Sequence, residues 1–249
     1  MKWSKIKSLM VCFLIAMNLF MLAIIAVTTW QQSTIPEKVL DAAISFLNKS
    51  GFEFDNELFP NTYYSLPSYN AHFYSASELS DLFFGKQVAF RTEGNSLVAT
   101  QDNAVLTVND NNFIYSSGYD AVKAESSKIK SVLKKMGINM KGAVYDEKAA
   151  CFYRMYNNIN LFNMSLEARL DGDGDICYLK AQWPKTLTAE EPEKLSFIES
   201  TMKLKEAFPN GGTITKIELG YSLQQISGGK FVFTPAWRVM VNDELKILN

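Results

Sequence analysis

Asp171, Asp173 and Asp175 alternate with Gly172 and Gly174 in LDGDGDICYL, and carboxylates at that spacing are what the first half of a calcium loop supplies. The second half departs from the pattern. Such a loop needs glycine at its sixth position and a bidentate glutamate at its twelfth, where this chain has Ile176 and Gln182. Apolar alternation on both sides makes the stretch read as a hairpin turn, with a weak calcium site as the alternative. His72, the single histidine, stands in the aromatic stretch YYSLPSYNAHFY. A histidine can act as a general base, but covalent catalysis also needs a nucleophile and an orienting acid, and no G-x-S-x-G or comparable motif supplies them. The aromatic stretch is therefore expected to form a loop that packs across the first domain or supplies a protein contact. Of three cysteines, Cys151 and Cys177 fall in predicted strands. They could pair outside the cytoplasm, or sit apart as buried small hydrophobes. Ser227-Gly228-Gly229-Lys230 is too short for a phosphate loop and reads as a turn. No enzyme activity, cofactor or metal is expected.

The elements that would position these residues are legible from caps and periodicity. Thr34-Ile-Pro-Glu37 matches a capping box, and Val39, Leu40, Ala43, Ile44 and Leu47 follow it as a helical stripe closed by Gly51. Ser75-Ala-Ser-Glu78 opens a second helix, to Phe84 and Gly85. A third box, Thr188-Ala-Glu-Glu191, predicts a helix running to Phe208. A further helix is expected over Ala121–Met136, with Ile129, Val132, Leu133 and Met136 on one face. Short strands are expected at Gln87–Arg91, Leu97–Thr100, Ala104–Val108 and Phe113–Ser116, then at Gly142–Asp146, Ala150–Tyr156, Phe162–Leu170 and Ile176–Trp183. The last strands are predicted at Thr213–Tyr221 and Phe231–Val241. In that closing strand Trp237 alternates with Val239 and Val241 as a core anchor, Arg238 points the other way, and Pro235 implies a sheet edge or strand start. The pattern is α+β, antiparallel sheets with helices on one face, divided near Gly118–Asp120 into subdomains 34–118 and 119–249.

The first thirty-odd residues are of another kind. Lys2, Lys5 and Lys7 precede a segment from Ser8 to Pro36 that carries no charge. Its strongly apolar part, Leu9–Val27, would measure roughly 28 Å as a helix, close to the hydrocarbon thickness of a bilayer. A cleaved signal has a shorter apolar core and a small-residue site, whereas the best triplet here, Ala26-Val27-Thr28, ends in threonine. Cys12 follows Val11 within the apolar run, which does not suit lipoprotein processing. Residues 1–33 thus read as a retained single-span anchor in the cell membrane, with Trp3 and Trp30 at its two interfaces. The lysines place the N-terminus in the cytoplasm and the remainder outside. Asn18, near the middle, either bonds its own backbone or seeks a neighbouring helix, and Met17 and Met21 beside it complete a candidate partner contact. The exterior part is mildly acidic and rich in Phe and Tyr, with core material for one large or two small domains and no basic patch for nucleic acid.

MKWSKIKSLMVCFLIAMNLFML at the start, EARLDGDGDICYLKAQW in the middle and FTPAWRVMVND near the end together resemble the YycI-type regulatory proteins. That resemblance implies a bacterial single-span protein with an exterior α+β region. It implies action with a YycH-like protein on the membrane sensor histidine kinase of the cell-wall two-component system, with no catalytic residues. Contact through the membrane helix would act by differential affinity for two kinase conformations. Two other classes stay open: an exterior ligand-binding or sensor module using the aromatic stretch, and a peptidase-inhibitor-like module.

Overall fold

A computed structural model describes residues 10–22 and 34–249. Lys2, Lys5, Lys7, Trp3, Trp30, the Ala26-Val27-Thr28 triplet and both ends of the apolar run lie outside the described residues. In chain order the elements are a helix over 10–22 (α1), α2 (Glu37–Lys49), β1 (Phe52–Glu53), β2 (Tyr64–His72), α3 (Ala76–Phe84), β3 (Arg91–Glu93), β4 (Ser96–Gln101), β5 (Ala104–Val108) and β6 (Phe113–Ser116). Then come α4 (Ser126–Lys135), β7 (Ala143–Asp146), β8 (Cys151–Tyr156), β9 (Ile159–Leu170), β10 (Ile176–Gln182), β11 (Thr186–Leu195), α5 (Thr201–Ala207), β12 (Gly212–Ile226), β13 (Lys230–Val241) and β14 (Glu244–Leu248). The chain is mixed α/β and dominated by a large sheet, ordered β11-β2-β13-β12-β9-β10-β6-β5-β4-β3. Neighbours are mostly antiparallel, but β12 runs parallel to β9 and β1 parallel to β12. No helix among the described residues is long and apolar enough to cross a membrane.

Contacts divide the chain into two units. The first takes Met1–Leu66, Lys194–Ile217 and Val239–Lys246, and the second takes Pro67–Glu193, Glu218–Arg238 and Ile247–Asn249. Residues 118–120 lie within the second. In the first unit, α2 buries Ala43 and Leu47, and Phe59 meets Phe197 edge-on at 5.2 Å. Gly211 lies so close to Gly51 that a Cβ would stand 2.1 Å from the Gly51 carbonyl oxygen, and its φ of +73° suits glycine as well. The second unit packs α3 and α4 on the sheet. Leu79, Ile129 and Leu133 are buried there with Leu106, Phe113, Leu166, Leu179 and Trp183. Full burial of such an aliphatic side chain stabilises by about 1.5–3 kcal/mol, so this apolar face holds the unit together.

The structure corrects several expected elements. Thr34 does not cap α2; it bridges to Thr62, the Ile35 N–H donates to the Asn61 carbonyl, and the helix begins after Pro36. The chain before a proline favours extended backbone, which moves the start forward. The predicted helix from Thr188 to Phe208 is instead the strand β11 followed by the short α5. Pairing with β2 overrides the helix propensity of its glutamates, and Pro192 is tolerated because β11 is a sheet edge. The aromatic stretch expected as a loop contains β2, with Tyr69 and Ala71 buried and His72 exposed. Of Ala121–Met136 only Ser126–Lys135 is helical, since Val122 is drawn into a bridge with Leu170. Gln87–Phe90 form no ladder; β3 starts at Arg91, and the Val88 N–H donates to Ser80 Oγ at 2.8 Å.

Pro235 marks neither an edge nor a strand start. It lies within β13, which sits between β2 and β12. The β13–β2 ladder runs only from Phe231↔Ala71 to Phe233↔Tyr69. Continued by two residues, that register would set Pro235 opposite Pro67, and neither has an N–H to give.

Candidate functional site

Two places in the described chain could meet something else. The first is α1. Its large side chains are exposed all round the helix, from Met17 at 47% to Phe13 at 65%. A helix apolar on every side lacks the polar face that water requires. Its one polar group is partly satisfied internally: Asn18 Nδ2 donates to the Leu14 carbonyl at 2.8 Å. A primary amide has two N–H groups and an acceptor oxygen, so one N–H and Oδ1 remain for a neighbour. Met21, one turn on, shares that face, and Met17 adjoins it, both about half exposed.

The second place is a cavity of about 610 Å³ in the second unit, where β2 ends and α3 begins. Its position is set by the segment Trp183-Pro184-Lys185. The Lys185 N–H donates to the His72 carbonyl at 2.8 Å, and Asn139 Nδ2 donates to the Lys185 carbonyl at 2.8 Å. Trp183 Nε1 donates to the Asn139 carbonyl at 2.7 Å, and the Asn139 N–H donates to the Tyr74 hydroxyl at 3.0 Å. Arg154 is 3% exposed, lies 5.3 Å over the Trp183 ring and donates to the Pro184 carbonyl. Burial pulls its guanidinium below its ordinary value. Lys185 pairs with Glu78, and Ser75 and Glu78 form a reciprocal capping box at the start of α3. Hydrogen bonding to Lys185 and to the Ser75 backbone holds the Glu78 carboxyl at about 2.

Phe73 and Phe231 line the cavity with ring centroids 5.3 Å apart, edge to face. Phe231 stands opposite Ala71, so Phe73 is its diagonal neighbour on the same sheet face. His72, Asp110, Thr188, Gln225 and Lys230 also line it, all exposed. The structure thus places His72 in a lining that also holds amides, hydroxyls, rings, the Asp110 carboxylate and the Lys230 ammonium. Sequence reasoning missed this grouping because it depends on strand order; β11 and the β12–β13 hairpin supply Thr188, Gln225 and Lys230.

The other predicted residues have structural roles. Asp171 Oδ1 accepts the N–H groups of Asp173, Gly174 and Asp175, each at 3.0 Å, in the turn joining β9 to β10. No cluster of three or more His, Cys, Asp or Glu among the described residues could hold a metal ion. Cys151 and Cys177 are free thiols, and burial pushes both up. Trp237 is 2% exposed, in line with a core anchor. Arg238 does point away from it, but is engaged: it pairs with Glu218 at 2.7 Å and lies 4.4 Å over the Phe162 ring.

No family model matches the sequence. No curated protein matches it either. Among solved structures, the chain is similar to an uncharacterized protein from Eubacterium rectale ATCC 33656, whose crystal structure is at 1.45 Å resolution. The TM-score is 0.43 and the sequence identity 11%, over 80% of this chain and 86% of that one.

Proposed function

We propose that this chain is a membrane-anchored, extracytoplasmic regulator that modulates a sensor histidine kinase, acting with a YycH-like protein and catalysing no reaction. The observation that carries the anchor is α1, apolar and exposed on all its sides. Fully exposed side chains of this kind are unfavourable in water by about 25 cal/mol per Å², and lipid removes that cost. The lysines at positions 2, 5 and 7 orient the anchor with its N-terminus inside. The kinase and the YycH-like partner come from the likeness of the opening, central and closing segments to YycI-type proteins. The contact is assigned to Asn18, with its remaining N–H and Oδ1, and to Met17 and Met21, whose flexible thioethers fill irregular helix surfaces. A helix bound at that face shifts the kinase between conformations only as far as it prefers one of them.

Photocrosslinking tests this reading in native membranes. A crosslinker at Met21 of the full chain is expected to capture a sensor kinase or a YycH-like protein, and one at Phe13 to capture lipid. Lipid adducts alone at positions 17, 18 and 21 would contradict the partner contact.

A further inference from the structure

We propose that the cavity at the end of β2 is a binding site for a short, neutral oligosaccharide. This goes beyond the regulatory reading and does not rest on it. The cavity is about 610 Å³, within the range of small-molecule sites. Five of its polar side chains are uncommitted. The side chains of His72, Asp110, Thr188, Gln225 and Lys230 make no hydrogen bond or ion pair with any described residue. Asn70 gives an amide N–H to Glu190 at 2.8 Å and keeps its Oδ1 as an acceptor. Donors and acceptors therefore converge on one concavity that also presents the paired rings of Phe73 and Phe231.

The lining chooses among ligand classes. A polyanion is disfavoured because the cation of Lys230 is balanced by Asp110, with Glu190 held at Asn70. A peptide that adds as a strand needs an open ladder, and at the cavity end of β2 Asn70 and Ala71 are paired to Val232 and Phe231 of β13, with β11 on the other side of the strand. A lipid chain would leave the polar and charged groups of His72, Asp110, Thr188, Gln225 and Lys230 facing hydrocarbon without partners. What remains is a ligand with many hydroxyls and an apolar C–H face. Hydroxyls both donate and accept, so they suit amide, carboxylate and hydroxyl side chains together, and a pyranose C–H face packs on an aromatic ring. The capping box and the Trp183–Lys185 clamp hold Ser75 and the His72 backbone on either side of Phe73 in place before any ligand arrives, which lowers the ordering cost of binding.

The test is calorimetry on the full chain in a sugar-free detergent, titrated with cellotriose, chitotriose and trialanine. Saturable binding of at least one sugar is expected, weakened at least tenfold by Phe231→Ala and by the double variant Asp110→Asn, Gln225→Ala. Both residues of the double variant are exposed, so it keeps the fold while removing the contacts. The proposal is overturned if neither sugar binds saturably, if only trialanine does, or if the double variant binds sugar as tightly as the original chain.

Discussion

Glu78 serves two structures with one carboxylate. Its Oε2 accepts the Ser75 N–H at 2.9 Å, and its Oε1 meets the Lys185 ammonium. Both interactions favour the charged form, which is why its folded value sits at about 2 against an ordinary 4.5. The sign follows from linkage. Any stabilisation from this group is complete above the ordinary carboxyl range and is lost as the pH falls from there through about 2. A carboxyl-carbon NMR titration should find Glu78 ionised at pH 3.5, and Lys185→Ala should move its midpoint toward the ordinary value. At Trp237 the effect is one of volume. The ring is 2% exposed, and Trp237→Ala should cost about 3–5 kcal/mol in urea unfolding, because the emptied space closes only in part. A change below ~1 kcal/mol would remove Trp237 from the core.

Elements show where sequence reasoning succeeds and where it fails. β5 and β6 have the expected bounds, because each is a short apolar alternation between turn residues. Asp102 adopts a positive φ at the β4–β5 turn, as its residue type permits. The Ser75 box was legible for the same reason: Ser at the cap, Glu three residues on, glycine at the end with φ +67°. Ser75→Ala should destabilise the second unit by about 1 kcal/mol, measured by urea unfolding, and should raise amide exchange in the first turn of α3. Unchanged exchange there would mean the cap is idle. β11 was misread because Thr188–Glu191 satisfies the same pattern while lying beside β2, a non-local fact. Its Glu190, Glu191 and Glu193 and its Pro192 suit an exposed edge, where charge and a missing N–H oppose further pairing. β14 was missed although Asn242 and Asp243, with φ of 49° and 64°, form the kind of turn that joins two strands. The cavity was illegible for a deeper reason. Its residues come from β2, β11, the β12–β13 hairpin and the turn at Asp110, segments far apart in the sequence that only the tertiary fold brings together.

At the scale of the whole molecule, each of the two units carries its own buried residues, drawn from separate stretches of chain. Every residue of α1, by contrast, is exposed. That contrast organises the functional reading. Residues 34–249 bury the core side chains of both units and expose large apolar groups singly, such as Tyr119 and Met202, whereas α1 leaves Phe13, Leu14, Leu19, Phe20 and Leu22 each 60% exposed or more in one continuous run. The regulatory account needs lipid around that segment, and everything about partner contact at Asn18 depends on it. Extraction of native membranes with alkaline carbonate, followed by N-terminal sequencing of the full-length chain, tests this most directly. The account predicts that the chain stays in the pellet with its first residues intact. Release into the supernatant, or a mature N-terminus beyond Ala26, would contradict it.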